Sequence, residues 1–456
     1  MTRRPAGRWL IEAAVASALF AVVSAWAAAT QPAERIFGDA QMYHRMAQQF
    51  GEGQLPVAVE APFVYRPATP WLASVFNPLL SRVLPRGVDF AIEGSSGLKG
   101  VPGFYLVNIV ATFVTVHLLV VWMRLFDLDV RLRLLALTLW LIEWYAPTRF
   151  VYFYPVNAEP LFLLSVVATL LVTERLRRAP VGVASLAVTP ILFVGTLARE
   201  SIVVVLAAFL ASRMSRAAGV ERWRLASLTL PIAAVAAALA LTRAIAAPTN
   251  TFNVAEEAIR LAGEKPFFTW VLAWCFTFGP SALAVALAGH RDSWSFLKAH
   301  PHLALYLVLV AFLAFVGGTD TERILGWAAP VVFLLTARVT GQQATLLQRR
   351  PVLTTVLILV QLASARVFWP IPVGVDDART FASLGLEWSS VMAMLDKALV
   401  IENYYANLWS FFGSRAVHAW ILVADLGFMA SVVWLLKRDL AAAARPHPSG
   451  SKSDAH

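Results

Sequence analysis

Cysteine is nearly absent: Cys275 stands alone in 456 residues, inside an apolar run between Trp274 and Phe276. A disulfide framework or a cysteine-built zinc site within one chain is thereby excluded. Charge is scarce as well, at 14% of residues against 59% hydrophobic, and the mean hydropathy is +0.65. These values lie outside those of an ordinary soluble domain and point to insertion in a bilayer. The chain carries no phosphate-binding glycine loop, no nucleophile elbow and no zinc-binding helix signature, so three common catalytic frameworks are missing. Internal repeats are missing too, and the only low-complexity stretch is the Ala-rich tail from Ala441 to His456.

What is present is a series of apolar runs. Those beginning at Trp9, Val101, Leu225, Phe267, Pro351 and Ala416 are long enough to cross a bilayer. The first follows Arg3, Arg4 and Arg8 and ends in Ala27-Ala28-Ala29. It exceeds the roughly 7–15 residues of a signal-peptide core, and so reads as a retained transmembrane helix. Shorter runs come in pairs: 134–146 with 160–172 around Pro147-Thr148-Arg149, 181–198 with 201–211 around Arg199-Glu200, and 303–316 with 324–337 around 317–323. Each pair reads as a helical hairpin with a polar tip at membrane depth, where a polar backbone survives only against protein or a water-filled cavity.

The total is an all-α membrane protein of about twelve transmembrane helices. The net charge of +10 does not imply nucleic-acid binding, because topology alone concentrates Arg on one side. Short connectors carry Arg124, Arg131, Arg133, Arg175, Arg177, Arg178, Arg213, Arg216, Arg222 and Arg224. The positive-inside rule then puts both termini in the cytoplasm. Residues 1–436 form one polytopic membrane domain, and 437–456 a flexible cytoplasmic tail. Two long segments fall outside, 30–100 and 369–415. Their aromatic, proline-rich and helical stretches, 38–50, 62–80 and 381–412 with Trp388, Tyr404, Tyr405 and Trp409, suit amphipathic helices at the interface.

The richest chemistry lies in the first outer segment, in Gly38-Asp39-Ala40-Gln41-Met42-Tyr43. On a helix Asp39 and Tyr43 share a face, so a carboxylate and a phenol can look into one cavity. Equally, Asp39 can be the N-cap of the helix that follows. Downstream, Pro62 to Pro70 stiffens the backbone around Tyr65 and Arg66. Arg66 can present its fork to a phosphate or snorkel to lipid headgroups. Arg199-Glu200 interrupts an apolar stretch, and charges there require a pair, water or a function. One reading is a ligand-binding pair, the other a self-satisfying ion pair at the hairpin tip. Asp320, Glu322 and Arg323 form a similar tip after Gly317-Gly318.

Other polar features carry less weight. Asp127-Leu128-Asp129 has metal–nucleotide spacing but sits among arginines on an inner connector and reads as a solvated turn. Glu12, Glu143 and Glu159 lie in or beside apolar runs, with Arg149 at a tip, and could line a polar path. His290, His300 and His302 cluster without a consistent partner carboxylate and read as surface residues.

The order of these motifs, an early outer Asp with Tyr four residues on, a Tyr-Arg-Pro segment and polar-tipped hairpins, resembles the GT-C class of membrane glycosyltransferases. The diagnostic sequences of oligosaccharyltransferases are absent. The resemblance implies an inverting glycosyltransferase that takes a sugar from a polyprenyl-phosphate carrier and passes it to a glycan, lipid or protein acceptor at the extracytoplasmic face. It implies Asp39 as catalytic base, with Tyr43, Tyr65, Arg66, Arg199, Glu200, Asp320 and Arg323 as substrate-binding candidates. No cofactor is required; a divalent metal serves some relatives, but no ligand set stands out here. Membrane lipids are partners, nucleic acid is not, and the compartment expected is a bacterial inner membrane. The competing class is a transporter or flippase whose intramembrane charges line a substrate path.

Overall fold

The computed structural model describes residues 6–30, 39–83, 101–143, 151–152, 154–214, 226–365 and 409–443. The 147–149 tip, most of the 369–415 segment and the tail beyond 443 lie outside the described residues.

Runs of Ala, Leu, Val and Phe with few breakers make helices throughout. In chain order these are α1 (Ala6–Thr30), α2 (Asp39–Gly51), α3 (Ala68–Val83), α4 (Val101–Met123), α5 (Val130–Ile142), α6 (Glu159–Arg175), α7 (Val181–Ala198), α8 (Val203–Met214) and α9 (Thr229–Ile245). There follow α10 (Val254–Glu264), α11 (Phe267–Phe278), α12 (Pro280–Ala288), α13 (His290–Ala299), α14 (Pro301–Val316), α15 (Thr321–Leu325), α16 (Ala329–Gln342), α17 (Ala344–Arg349), α18 (Pro351–Ser364) and α19 (Arg415–Ala443). Helix starts at Val101, Phe267 and Pro351 coincide with the starts of the apolar runs. The only strands among the described residues, β1 (Val57–Val59) and β2 (Ala247–Pro248), pair in parallel. Beside them the Asn250 amide accepts from Ala61 N at 2.7 Å and donates to Ala61 O at 3.2 Å.

Among the described residues, five helices are long and apolar enough to cross a membrane by themselves, and up to seven spans result if each of two sharply bent pairs is one span. The chain is an all-α integral membrane protein. Large apolar side chains stand exposed along α1 (Leu10, Ile11, Val22), α18 (Val352, Ile358, Leu359) and α19 (Trp420, Val423, Trp434). Hydrocarbon is the solvent that suits such faces. Inside, α6 packs against α4 and α7, α8 against α14 and α5 against α16. They enclose Trp122, Trp140, Phe162, Phe209, Phe278 and Phe333.

The bends have local causes. Between α11 and α12 the axis turns by 96° at Gly279, whose φ of 79° favours glycine. Gln361 of α18 repairs the break: its amide donates to Phe278 O at 3.0 Å and accepts from Ala282 N at 3.1 Å. The backbone groups freed at the break are thereby satisfied by protein. Between α13 and α14 the turn is 110°. There Pro301 forces the preceding residue out of helix, and His300 takes φ −127° and ψ 63°.

α2 does not lie free at an interface. It buries Ala40, Tyr43, Met46 and Ala47 in a satellite core with Val59, Val64, Val101, Phe104, Val156 and Ala158. Protein, not headgroups, covers its apolar face.

Candidate functional site

Residues from five separate stretches of sequence meet at one end of α6. Asp39 and Tyr43 come from the first two turns of α2. Arg66 terminates the short 3-10 turn Phe63–Tyr65, where the prolines on either side fix the backbone. Glu159 opens α6, with its own N–H bonded to Asn157 Oδ1 at 2.9 Å and Pro160 next in the first turn. Arg199 closes α7 in extended conformation, and Glu200 begins the 3-10 turn that follows. Asp320 precedes α15 and Arg323 sits on it.

The adjacent residues Arg199 and Glu200 point apart. Glu200 takes a two-pronged ion pair from Arg66, Nη2 to Oε1 at 2.5 Å and Nε to Oε2 at 2.8 Å. Such a fork is the strongest form of charge-assisted bond. Arg66 also donates to the Tyr43 hydroxyl at 3.1 Å. Arg199 donates through Nη1 to Glu159 Oε1, and its guanidinium lies over the Trp327 ring, 4.8 Å from the centroid. The self-satisfying Arg199–Glu200 pair read from sequence is therefore replaced by two cross-chain pairs.

Arg323 ties the halves together. Its Nε donates to Glu159 Oε1 at 2.7 Å, and its Nη1 reaches Asp39 Oδ2 at 2.9 Å and Asp320 Oδ2 at 3.2 Å. Glu159 is fully buried and Arg199 and Arg66 nearly so, whereas the Asp39 side chain keeps 38% of its surface exposed. Asp39 shares the open edge of the network with Asp320 and Glu200, whose side chains keep 36% and 35%.

Burial raises the Asp39 carboxyl, but the charge and hydrogen bond of Arg323, with the charges of Arg66 and Arg199, hold it below its ordinary value. Burial likewise raises Glu200, and the Arg66 charge and fork then bring it down to about 2. The Tyr43 phenol is pushed up by burial and stays protonated at neutral pH. The site offers an ionised, solvent-touched carboxylate beside three guanidinium groups. Arg199 Nε has no hydrogen-bond partner, which leaves one buried donor uncommitted.

Of the sequence candidates, Asp39, Tyr43, Arg66, Arg199, Glu200, Asp320 and Arg323 converge. Tyr65 stays out of the hydrogen-bonded network; its ring lies 3.6 Å from the Arg243 guanidinium. Glu159 is the hub that received little weight, though an acid opening an apolar helix was its signal. Asp127 and Asp129 behave as a turn, with Asp127 left-handed and Asp129 capping α5 by accepting from Leu132 N. Glu12 pairs with Arg124 and Arg133, while Glu143 is buried. Arg149 lies outside the described residues.

The histidine reading needs correction. His290 is exposed, but His302 is buried, and both His302 Nε2 and His300 Nδ1 approach Glu174 Oε2, at 3.1 and 3.4 Å. The missing carboxylate is at the far end of α6.

Comparison with protein-family models finds none that matches the chain, and comparison with curated proteins finds no match.

Proposed function

We propose that this protein is an inverting glycosyltransferase of GT-C type. It moves a sugar from a polyprenyl-phosphate carrier to an acceptor hydroxyl at the extracytoplasmic face of a bacterial inner membrane. In this reading the chain completes about twelve membrane segments, with both termini cytoplasmic. The convergence of Asp39 with Arg66, Arg199 and Arg323 on one network carries the proposal. Their sequence positions span most of the chain, and assembling buried charge at membrane depth is costly unless the charges are paired and serve a function.

Asp39 takes the proton of the acceptor hydroxyl as its oxygen attacks the anomeric carbon; the sugar–phosphate bond breaks with its electron pair going to the carrier phosphate. Arg199, with its uncommitted Nε, and Arg323 stabilise that phosphate. When the phosphate draws Arg323 from Asp39, the carboxylate loses the partner that holds it low and gains basicity. Because the leaving group is carried by a lipid already in the bilayer, no nucleotide-binding domain is needed.

The test is transfer from a labelled polyprenyl-phosphate sugar in proteoliposomes. Asp39→Asn preserves size but cannot accept a proton, so carrier binding should persist while turnover falls at least about 100-fold. Transfer at the wild-type rate would remove Asp39 from the base role. An intact labelled lipid that crosses the bilayer unhydrolysed and untransferred would favour a transporter instead.

A further inference from the structure

At the opposite end of α6 from the candidate site, Glu174, His300 and His302 bring one carboxylate and two imidazoles together. Their ligating atoms all lie within 4.8 Å of one another. We propose that this cluster is a Zn2+ site, independent of the transferase reading, that clamps the end of α6 to the start of α14.

A tetrahedral zinc centre with bonds of about 2.0–2.1 Å places neighbouring ligand atoms about 3.3 Å apart. Two edges already have that length: Glu174 Oε2 is 3.4 Å from His300 Nδ1 and 3.1 Å from His302 Nε2. His300 is set as a ligand by its surroundings. Its ring stacks on Phe296 at 4.5 Å and meets Phe126 edge-on at 5.2 Å. The turn at Pro301 places His302 close behind it. His302 is 1% exposed, and burying an imidazole there calls for a partner that uses its nitrogen. Ion entry and a water as fourth ligand come from a cavity of about 760 Å³, which Glu174 and His300 line together with Asp127 and Asp292.

Arg177 opposes the ion. Its Nη1 donates to Glu174 Oε1 at 3.1 Å and approaches His300 Nδ1 at 3.2 Å, while Nη2 holds Ala299 O at 2.6 Å. Arg175, Arg178 and Arg338 also line the cavity. The two charges compete for the same imidazole lone pair, so zinc binds by displacing one arginine contact. This makes a prediction that a plain hydrogen-bonded network does not share.

The full chain, purified in detergent without a histidine tag and stripped with chelator, is titrated with Zn2+ by calorimetry and thermal melting. One saturable ion per chain should bind and raise the melting temperature. Losing an outer partner of a metal site costs about 10–100-fold in affinity, so His302→Ala and Glu174→Gln should cost at least about 100-fold, and His290→Ala nothing. Arg177→Gln should tighten binding. Should the ligand variants fail to fold, the Arg177→Gln titration still decides: a gain in affinity supports the site, and an unchanged or weaker affinity overturns it. Absence of stoichiometric uptake by the wild-type chain, or uptake indifferent to His302 and Glu174, also overturns it.

Discussion

Glu200 pairs with Arg66, 134 positions earlier in the chain, and not with Arg199 beside it. The pair joins the segment between α2 and α3 to the turn after α7. Removing one partner leaves a charge in a poorly hydrated place, at a cost of about 3 kcal/mol, the lower end for buried pairs because Glu200 is 35% exposed. Arg66→Ala should therefore lower thermal stability in detergent more than the Arg66→Ala, Glu200→Ala double variant does. Equal losses would mean the two do not interact.

The same pair predicts an acid limb. Glu200 sits at about 2 in the folded chain, below the ordinary glutamate value of about 4.3. Its contribution is complete above the ordinary value and fades as pH falls through it toward 2. Melting curves from pH 6 downward should show a stability loss in the wild type that Glu200→Gln lacks. Parallel curves would contradict the pairing.

Glu159 holds Arg199 and Arg323 with a single oxygen. Glu159→Gln leaves two buried guanidinium groups short of an anion, and should destabilise by about 3–5 kcal/mol. Because Asp39 depends on Arg323 for its orientation, any folded Glu159→Gln protein should also lose the proposed transfer. Undiminished stability would show that Glu159 is not the hub.

Lys265 reaches Ala314 O at 2.9 Å and Gly318 O at 2.6 Å, meeting carbonyls at the end of α14. Burial lowers its ammonium to about 8, against the upward pull of Glu322 and Asp320. The unfolded chain holds that proton up to about 10.4, so stability should rise between about pH 8 and 10 on this account. Lys265→Met should flatten that rise, and an identical slope in both proteins would count against it.

At Gly279 any Cβ would meet the Gln361 amide at 2.5 Å, on a backbone of φ 79°. Gly279→Ala should cost about 1–3 kcal/mol by strain. Gly263, with nothing within 4 Å of such a Cβ, lies in α10 and should tolerate or gain from alanine by up to about 1 kcal/mol. Two equal melting temperatures would refute the contrast.

The sequence exposed the site through cost: Arg199, Glu200 and Arg323 stand out because charge among apolar residues demands an explanation. Asp39 and Tyr43 were legible from helical spacing. Their partners were not, since Glu159 meets residues 40 and 164 positions downstream, and no local pattern encodes such distances. The histidines went unmatched for the same reason; Glu174 is 126 residues before His300 and is disguised by Arg175, Arg177 and Arg178. Hydropathy also merged α11 and α12 into one run. Only the Gly279-Pro280 dipeptide marks the corner between them.

α6 carries Glu159 at its first residue and Glu174 near its last. At 1.5 Å per residue the two carboxylates stand about 22 Å apart, and at 3.6 residues per turn about 60° apart in phase. Each is engaged by groups from other helices, so neither end is free to rotate. Inserting or deleting one residue within α6 would swing one acid by about 100° relative to the other. The helix is thus a keyed shaft: its composition can drift along the apolar faces, but its length cannot change by a single residue without unseating one of the two locks.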